Sequence, residues 1–163
     1  AHEWSKLIAE HYVDYYAHQR AFRSCIFRLA TPYAPPSEGN TPNIIGHFAN
    51  AINFGERIRL PGKGLPIRDI LHVDDLAAAC RSFIDSIIRH GTYNIGGGPK
   101  NALSLREIVN KMEEVSGLQA VIDDENPLPD PTPYNYVTDL SRIDQELEWA
   151  PQIGVEDGLK TLF

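Results

Sequence analysis

Lys6 stands one turn into the helical pattern that opens the chain, with Ser5 beside it and His2 four residues earlier. Side chains at i and i−4 share one face of a helix, so the ammonium favours deprotonation of a proton-carrying neighbour. A tyrosine at the neighbouring place would supply a hydroxyl able to take a proton from an alcohol as hydride leaves; the residue here is His2. The same spacing is met by any solvated helix lysine, so the pair is a candidate and not a motif. A second group lies in "GLPIRDILHVDDL". Arg68, next to the apolar residues of a strand, can present its guanidinium fork to a diphosphate, or it can pair with groups elsewhere in the fold. Asp69 needs partners, and Asp74 and Asp75 read as caps of the helix that follows. Thr31 and Tyr33 fall where a strand gives way to a loop, a place from which a hydroxyl reaches a ligand in an α/β crevice. His18, His47 and His72 have no second ligand at metal-binding spacing. Arg28, inside an apolar run, requires a partner if buried.

The elements that would position these residues alternate. Apolar and aromatic residues from Trp4 to Gln19 recur at three and four, which predicts an amphipathic helix. "SCIFRLA" predicts a strand covered on both faces, and "TPYAPPSEGNTPN" a loop at its carboxyl end. "IIGHFANAINFG" predicts a helix ending at Gly55; strand, glycine turn, strand and a long helix follow through residue 88. "GTYNIGGG" is a strand running into glycines, and "SLREIVNKMEEVSG" a helix with Ser104 and Glu107 as a capping box and Gly117 as terminator. "QAVIDDE" reads as a strand, "NPLPDPTPY" as a loop, and "DLSRIDQELEWAPQ" as a helix capped by Asp139. The alternation implies an α/β fold with a mainly parallel sheet. No glycine-rich strand-to-helix turn for a nucleotide is present, and Gly96–Gly98 has the wrong spacing for one.

Bulk composition narrows the function. With 163 residues and a net charge of −7, the chain has the size of one domain and lacks the basic stripe of a nucleic-acid binder. Cys25 and Cys80 sit in apolar runs and read as small buried residues of a cytoplasmic protein. Trp4 and Trp149 read as packing residues. No apolar stretch approaches the ~20 residues of a membrane span.

The order of "WSKLIAEHYVDYYA", "IFRLATPYAPP", "IIGHFANAINFGERIRLPGKGLPIRDILHVDDLAAAC", "YNIGGGPKNALSLREI" and "YVTDLSRIDQELEWAPQIGVEDGL" resembles the carboxyl-terminal half of extended short-chain dehydrogenases acting on nucleotide sugars. "NIGGGPKNALSL" is most similar to the branch of CDP-paratose and CDP-tyvelose 2-epimerases. The resemblance implies a Rossmann-like parallel sheet holding NAD, a smaller substrate domain, a nucleotide-diphosphate sugar as substrate and a homodimer formed through helices that include the one at Trp4. It implies that residues 1–35 and 66–98 belong to the sheet, that 36–65 and 99–163 belong mostly to the substrate domain, and that the cofactor half lies upstream of Ala1. Lys6 matches the lysine that holds the nicotinamide ribose, and Ala30 a position whose backbone lies against the cofactor. Thr31 and Asn43 match substrate-facing positions, and Arg68 an arginine that grips the diphosphate. Three departures stand out: His2 occupies the place of the catalytic tyrosine, "YAP" replaces "YGP", and "PLPD" lacks a second diphosphate arginine. The implied activity is epimerisation or dehydration, in which hydride leaves a sugar ring carbon and returns after proton exchange. The alternative is an inactive nucleotide-sugar-binding or scaffold domain.

Overall fold

A computed structural model describes residues 2–37 and 42–163, with His2 and Glu3 described by their backbone alone. Helix α1 (His2–Arg20) feeds strand β1 (Ser24–Leu29), and the chain steps through Ala30 into β2 (Thr31–Tyr33). Helix α2 (Ile44–Phe54), β3 (Arg57–Ile58), β4 (Ile67–His72), α3 (Val73–Asp85) and β5 (His90–Ile95) follow. The remainder is β6 (Ala102–Ser104), α4 (Leu105–Ser116), β7 (Val121–Ile122), α5 (Ser141–Leu147) and α6 (Val155–Lys160).

Three of the strand pairs are parallel: β1 with β5, β2 with β4, and β3 with β7. Only β6 runs antiparallel, to β4. The α/β expectation therefore holds, with one refinement at Thr31. Where a loop is expected, the chain leaves β5 after Leu29 and pairs Thr31–Tyr33 with Ile70–His72. Pro32 is tolerated because β2 is an edge strand whose outer side needs no donor.

Two apolar clusters form on opposite faces of β4, because successive side chains of a strand point to opposite sides. Ile70 packs with Ile45, Phe48, Ile52, Leu60, Ile108 and other residues of α2, β3, α4 and α6. Leu71 packs with Phe83, Tyr93, Ile95, Ile143 and Trp149.

Local signals behave as their chemistry dictates. Ser104 and Glu107 form the capping box of α4, and Gly117 ends that helix in the left-handed region at φ 71°. Gly55 ends α2 in the same way at φ 66°. The cap of α3 is a correction: His72 occupies it, its Nδ1 accepting from Asp74 N at 3.2 Å. Asp74 lies exposed in the first turn, whereas Asp75 is buried and accepts the backbone N–H groups of Gln152 and Ile153, both at 3.0 Å. Asp139 does bond the start of α5, accepting from the amide and hydroxyl of Ser141.

Three burial expectations also need correction. Trp149 is buried, but Trp4 is 68% exposed, because α1 turns its aromatic stripe outward and, among its described side chains, buries only Ala17. Cys80 lies on the exposed side of α3, while Cys25 is half-buried and burial pushes its thiol up to about 12. Strand β1 is covered well only on the face that carries Cys25 and Phe27. On its other face Arg28 is exposed and forms a two-point ion pair with Glu10 of α1, at 2.9 and 2.6 Å.

Candidate functional site

The carboxyl ends of β1 and β5 meet the start of β4 at Gly96. A Cβ there would lie 2.3 Å from both Asp69 Oδ2 and Thr138 Oγ1 and 3.0 Å from Ala30 Cβ. At Gly97 it would strike the Ile70 carbonyl at 2.1 Å. The triple glycine is thus a close-approach device between strands. Asp69, fully buried, ties this junction together: its Oδ2 accepts from Gly98 N at 3.0 Å and Thr138 N at 3.1 Å. Its Oδ1 and the Thr138 hydroxyl, both buried, have no partner among the described residues.

Arg68, the neighbour of Asp69, is half-buried and already engaged. Its Nη1 donates to the carbonyls of Ile67 at 2.7 Å and Tyr134 at 2.8 Å, and its Nη2 to that of Pro133 at 2.9 Å. Three of the five guanidinium N–H groups are consumed, leaving Nε–H and one Nη2–H. Burial lowers the Arg68 pKa, and the Asp69 charge acts the other way. The carbonyl bonds fix the guanidinium plane and moor the proline-rich segment to β4, to which Asn135 and Tyr136 also bond through Ile67. A planar fork held in this way suits a two-oxygen anion.

Lys6 is exposed and makes no hydrogen bond or ion pair among the described residues. With Glu10 and Val13 it lines a groove of about 550 Å³ that runs along Cys25–Leu29. The His2 side chain lies outside the described residues, so its geometry toward Lys6 is not part of this picture. Thr31 is partly exposed, and its hydroxyl has no partner among the described residues. Asn43 has a different employment. Its Oδ1 caps α2 by accepting from Ile45 N and Gly46 N, each at 3.1 Å, and its Nδ2 donates to the Pro32 carbonyl. It also edges a cavity of about 210 Å³ formed with Ala34, Pro36, Gly46 and Leu162.

Lys6 thus lines the groove along β1, Ala30 and Thr31 follow directly on that strand, and Arg68 adjoins Asp69, which lies beside Gly96. Asn43 stands on the far side of β2. The burial of Thr138 beside Asp69 and the tie of Asp75 to Gln152 and Ile153 escape a reading of the sequence. Thr138 has no motif around it. Asp75 had one available signal, since "HVDDL" offers two aspartates where a helix start needs only one cap.

Comparison with known proteins adds the following. The profile of the NAD dependent epimerase/dehydratase family matches residues 1–96. GDP-L-fucose synthase 1 of Arabidopsis thaliana is 31% identical over 132 residues, covering 80% of this chain and 40% of the relative. CDP-paratose 2-epimerase of Salmonella typhi is 25% identical, covering 98% of this chain and 49% of the relative. Among solved structures, UDP-glucuronic acid 4-epimerase from Bacillus cereus, in complex with UDP-glucuronic acid and NAD, superposes with a TM-score of 0.80 at 23% identity. It is matched over 95% of this chain and 48% of its own. The chain spans about half the length of the curated relatives it matches.

Proposed function

This chain belongs to the NAD dependent epimerase/dehydratase family, and from that membership we propose that it forms the carboxyl-terminal, substrate-binding portion of an enzyme acting on nucleotide sugars. The observation that carries the reading is the Arg68 fork, braced by the carbonyls of Pro133 and Tyr134, with Lys6 and the Thr31 hydroxyl making no bond among the described residues.

In this reading Arg68 takes two diphosphate oxygens on its remaining Nε–H and Nη2–H. The bonds to Pro133 and Tyr134 pre-orient it, so little freedom is lost when the anion arrives. Thr31 offers its hydroxyl to the sugar diphosphate, and Asn43 keeps the following loop in place through its cap and its bond to Pro32. In this reading NAD binds at the end of β1: the Lys6 ammonium, uncommitted among the described residues, would hold the nicotinamide ribose, and the Ala30 backbone would lie against the ring. NAD, when bound, supplies the acceptor and later the donor of hydride. Lys6 keeps a positive charge beside residue 2, where His2 would carry the proton that the family gives to tyrosine. Anchoring the diphosphate fixes the sugar ring, which supplies the orientation hydride transfer requires.

Residues 36–65 and 99–163 serve mostly as the substrate domain, and residues 1–35 and 66–98 as the sheet. Helix α5 packs with Tyr93 and Ile95, which supports counting it with the sheet. The outward stripe of α1 serves a homodimer, since Trp4, Ile8, Tyr12 and Tyr15 are all more than half exposed. No helix among the described residues is long and apolar enough to cross a membrane, which suits work in the cytoplasm.

The presence of His2 favours a second reading, in which the chain binds a nucleotide sugar without converting it. Calorimetric titration with CDP, UDP and GDP tests both. The expected result is binding, with CDP preferred on the likeness of "NIGGGPKNALSL", and a loss of about tenfold or more on Arg68→Lys, whose ammonium cannot form the fork. Unchanged affinity in that variant would remove Arg68 from the site. Turnover restored by His2→Tyr in a chain that carries the cofactor half would decide against the purely binding role.

A further inference from the structure

Residues 132–137 are all exposed, and none belongs to either apolar cluster, so hydrogen bonds rather than packing hold this segment against the fold. The bonds fall on three successive residues of β4. Ile67 donates its N–H to Asn135 Oδ1 and accepts from Tyr136 N, each at 3.0 Å. Arg68 reaches the Pro133 and Tyr134 carbonyls, and Asp69 Oδ2 accepts from Thr138 N at 3.1 Å. The bonds from Ile67 N and Arg68 meet exposed groups, where water competes for the same partners. The bond to Asp69 is different: Asp69 is fully buried, and Thr138 is 2% exposed. Breaking it would strand a buried amide, so it resists exchange with water. The same oxygen holds Gly98 N at 3.0 Å, which joins the end of the segment to the turn after β5. Gly96 makes room for it, since a Cβ there would lie 2.3 Å from Asp69 Oδ2.

Charge alone would give Asp69 the opposite part. A carboxylate next to Arg68 in the chain repels the anion that Arg68 would take, and so weakens its binding. Yet the Arg68 fork is aimed by carbonyls of a segment without apolar anchorage, and Asp69 fastens the buried end of that segment. We infer that Asp69 is a positioning residue for the anion site: through Thr138 it keeps residues 133 and 134 in place, and their carbonyls keep the plane of the Arg68 guanidinium. The role rests on the reading of Arg68 as the diphosphate ligand and extends it to a residue that does not itself touch the ligand. Both bonds use Oδ2, while Oδ1 has no partner among the described residues. The brace therefore needs one acceptor atom at the Oδ2 place, which an amide oxygen can also supply.

Arg68 itself reports on the brace without any ligand. In nitrogen NMR a guanidinium whose Nη groups are held gives separate Nη signals, and one free to rotate gives a single averaged signal. Separate signals are expected in the wild-type chain and in Asp69→Asn, and an averaged one in Asp69→Ala. An averaged signal in the wild type, or separate signals in Asp69→Ala, would overturn the proposal. Calorimetric titration with UDP and CDP gives the second readout. Asp69→Ala should bind about tenfold more weakly than the wild type, and Asp69→Asn at least as tightly as the wild type. If Asp69→Ala bound more tightly instead, Asp69 would act through its charge alone and the proposal would fall. In an Arg68→Lys chain, which has no fork to aim, Asp69→Ala should bring no further loss; an equal further loss would reduce the effect to general damage. Asp75→Ala removes another buried carboxylate that holds two amides, away from Arg68, so it should lower stability and leave both readouts unchanged. The same loss of affinity from Asp75→Ala would also overturn the proposal. Asp69→Ser, whose shorter hydroxyl cannot take both amides, stands in if the alanine variant does not fold. Absence of nucleoside-diphosphate binding in the wild type would count against the functional reading, while the Arg68 signals would still decide whether Asp69 braces the guanidinium.

Discussion

Helices α4 and α1 are both amphipathic, yet they end in opposite states. Leu105, Ile108, Val109 and Met112 of α4 are 0–2% exposed, enclosed by α2, β3 and α6. Leu7, Ile8, Tyr12 and Tyr15 of α1 are 40–61% exposed. Helix α4 is held by what it buries; α1 is pinned at few points, through the Glu10–Arg28 pair, Ala17 and the stacking of His18 on His90 at 4.4 Å. The difference teaches that the region around α4 closes on itself, and that the region carrying Lys6 presents apolar surface suited to a partner.

The largest effect should come from the closed region. Ile108→Ala leaves a cavity in a fully buried site and should cost about 3 kcal/mol in urea unfolding. A loss below about 1 kcal/mol would mean that this side is loosely packed and the contrast is false. Next is Asp75→Ala, which strands the N–H groups of Gln152 and Ile153 and should cost about 2 kcal/mol. The Glu10 tether is weaker. Its bond to Arg28 lowers its folded-state pKa below the ordinary 4.5. Its contribution is therefore complete above that value and disappears as pH falls through the lowered one. In this solvent-screened pair it amounts to less than about 1 kcal/mol. Acid titration followed by Trp4 fluorescence should show α1 loosening before Trp149 is exposed, and Glu10→Gln should bring that loosening to neutral pH. A single transition for both tryptophans would join the two regions into one. The smallest effect on the fold should be that of Tyr12→Ala, within about 0.5 kcal/mol, although it should shift a dimer toward monomer in sedimentation.

How far the sequence could be read follows the same divide between local and distant causes. The capping box at Ser104 and Glu107, the glycine ends of α2 and α4, and the amphipathic pattern of α1 depend on residues a few places apart, and each is plain in the chain. Two of the three carbonyls that occupy Arg68 lie 65 and 66 residues away, and the amides that Asp75 holds lie 77 and 78 away, so no local pattern announces them. The outward turn of Trp4 was hidden for another reason: an aromatic stripe looks alike whether its cover comes from its own chain or from another. Of the candidate site, Thr31 falls just past β1, where the end of the apolar run predicts it. Asn43 was legible as a helix start, and its bond to Pro32 was not.

Strand β4 has a consequence for how such a protein can diverge. Ile70 answers to one cluster and Leu71 to the other, with the strand's backbone between them. A lineage can remodel the volume around Ile70, and with it the neighbouring pocket, without asking the residues around Leu71 to compensate. What it cannot change freely is the main-chain path, because the Ile70 carbonyl already touches the space a side chain at Gly97 would need. Inheritance on this strand is thus divided, with side chains free to drift on each face and the shared peptide plane held still.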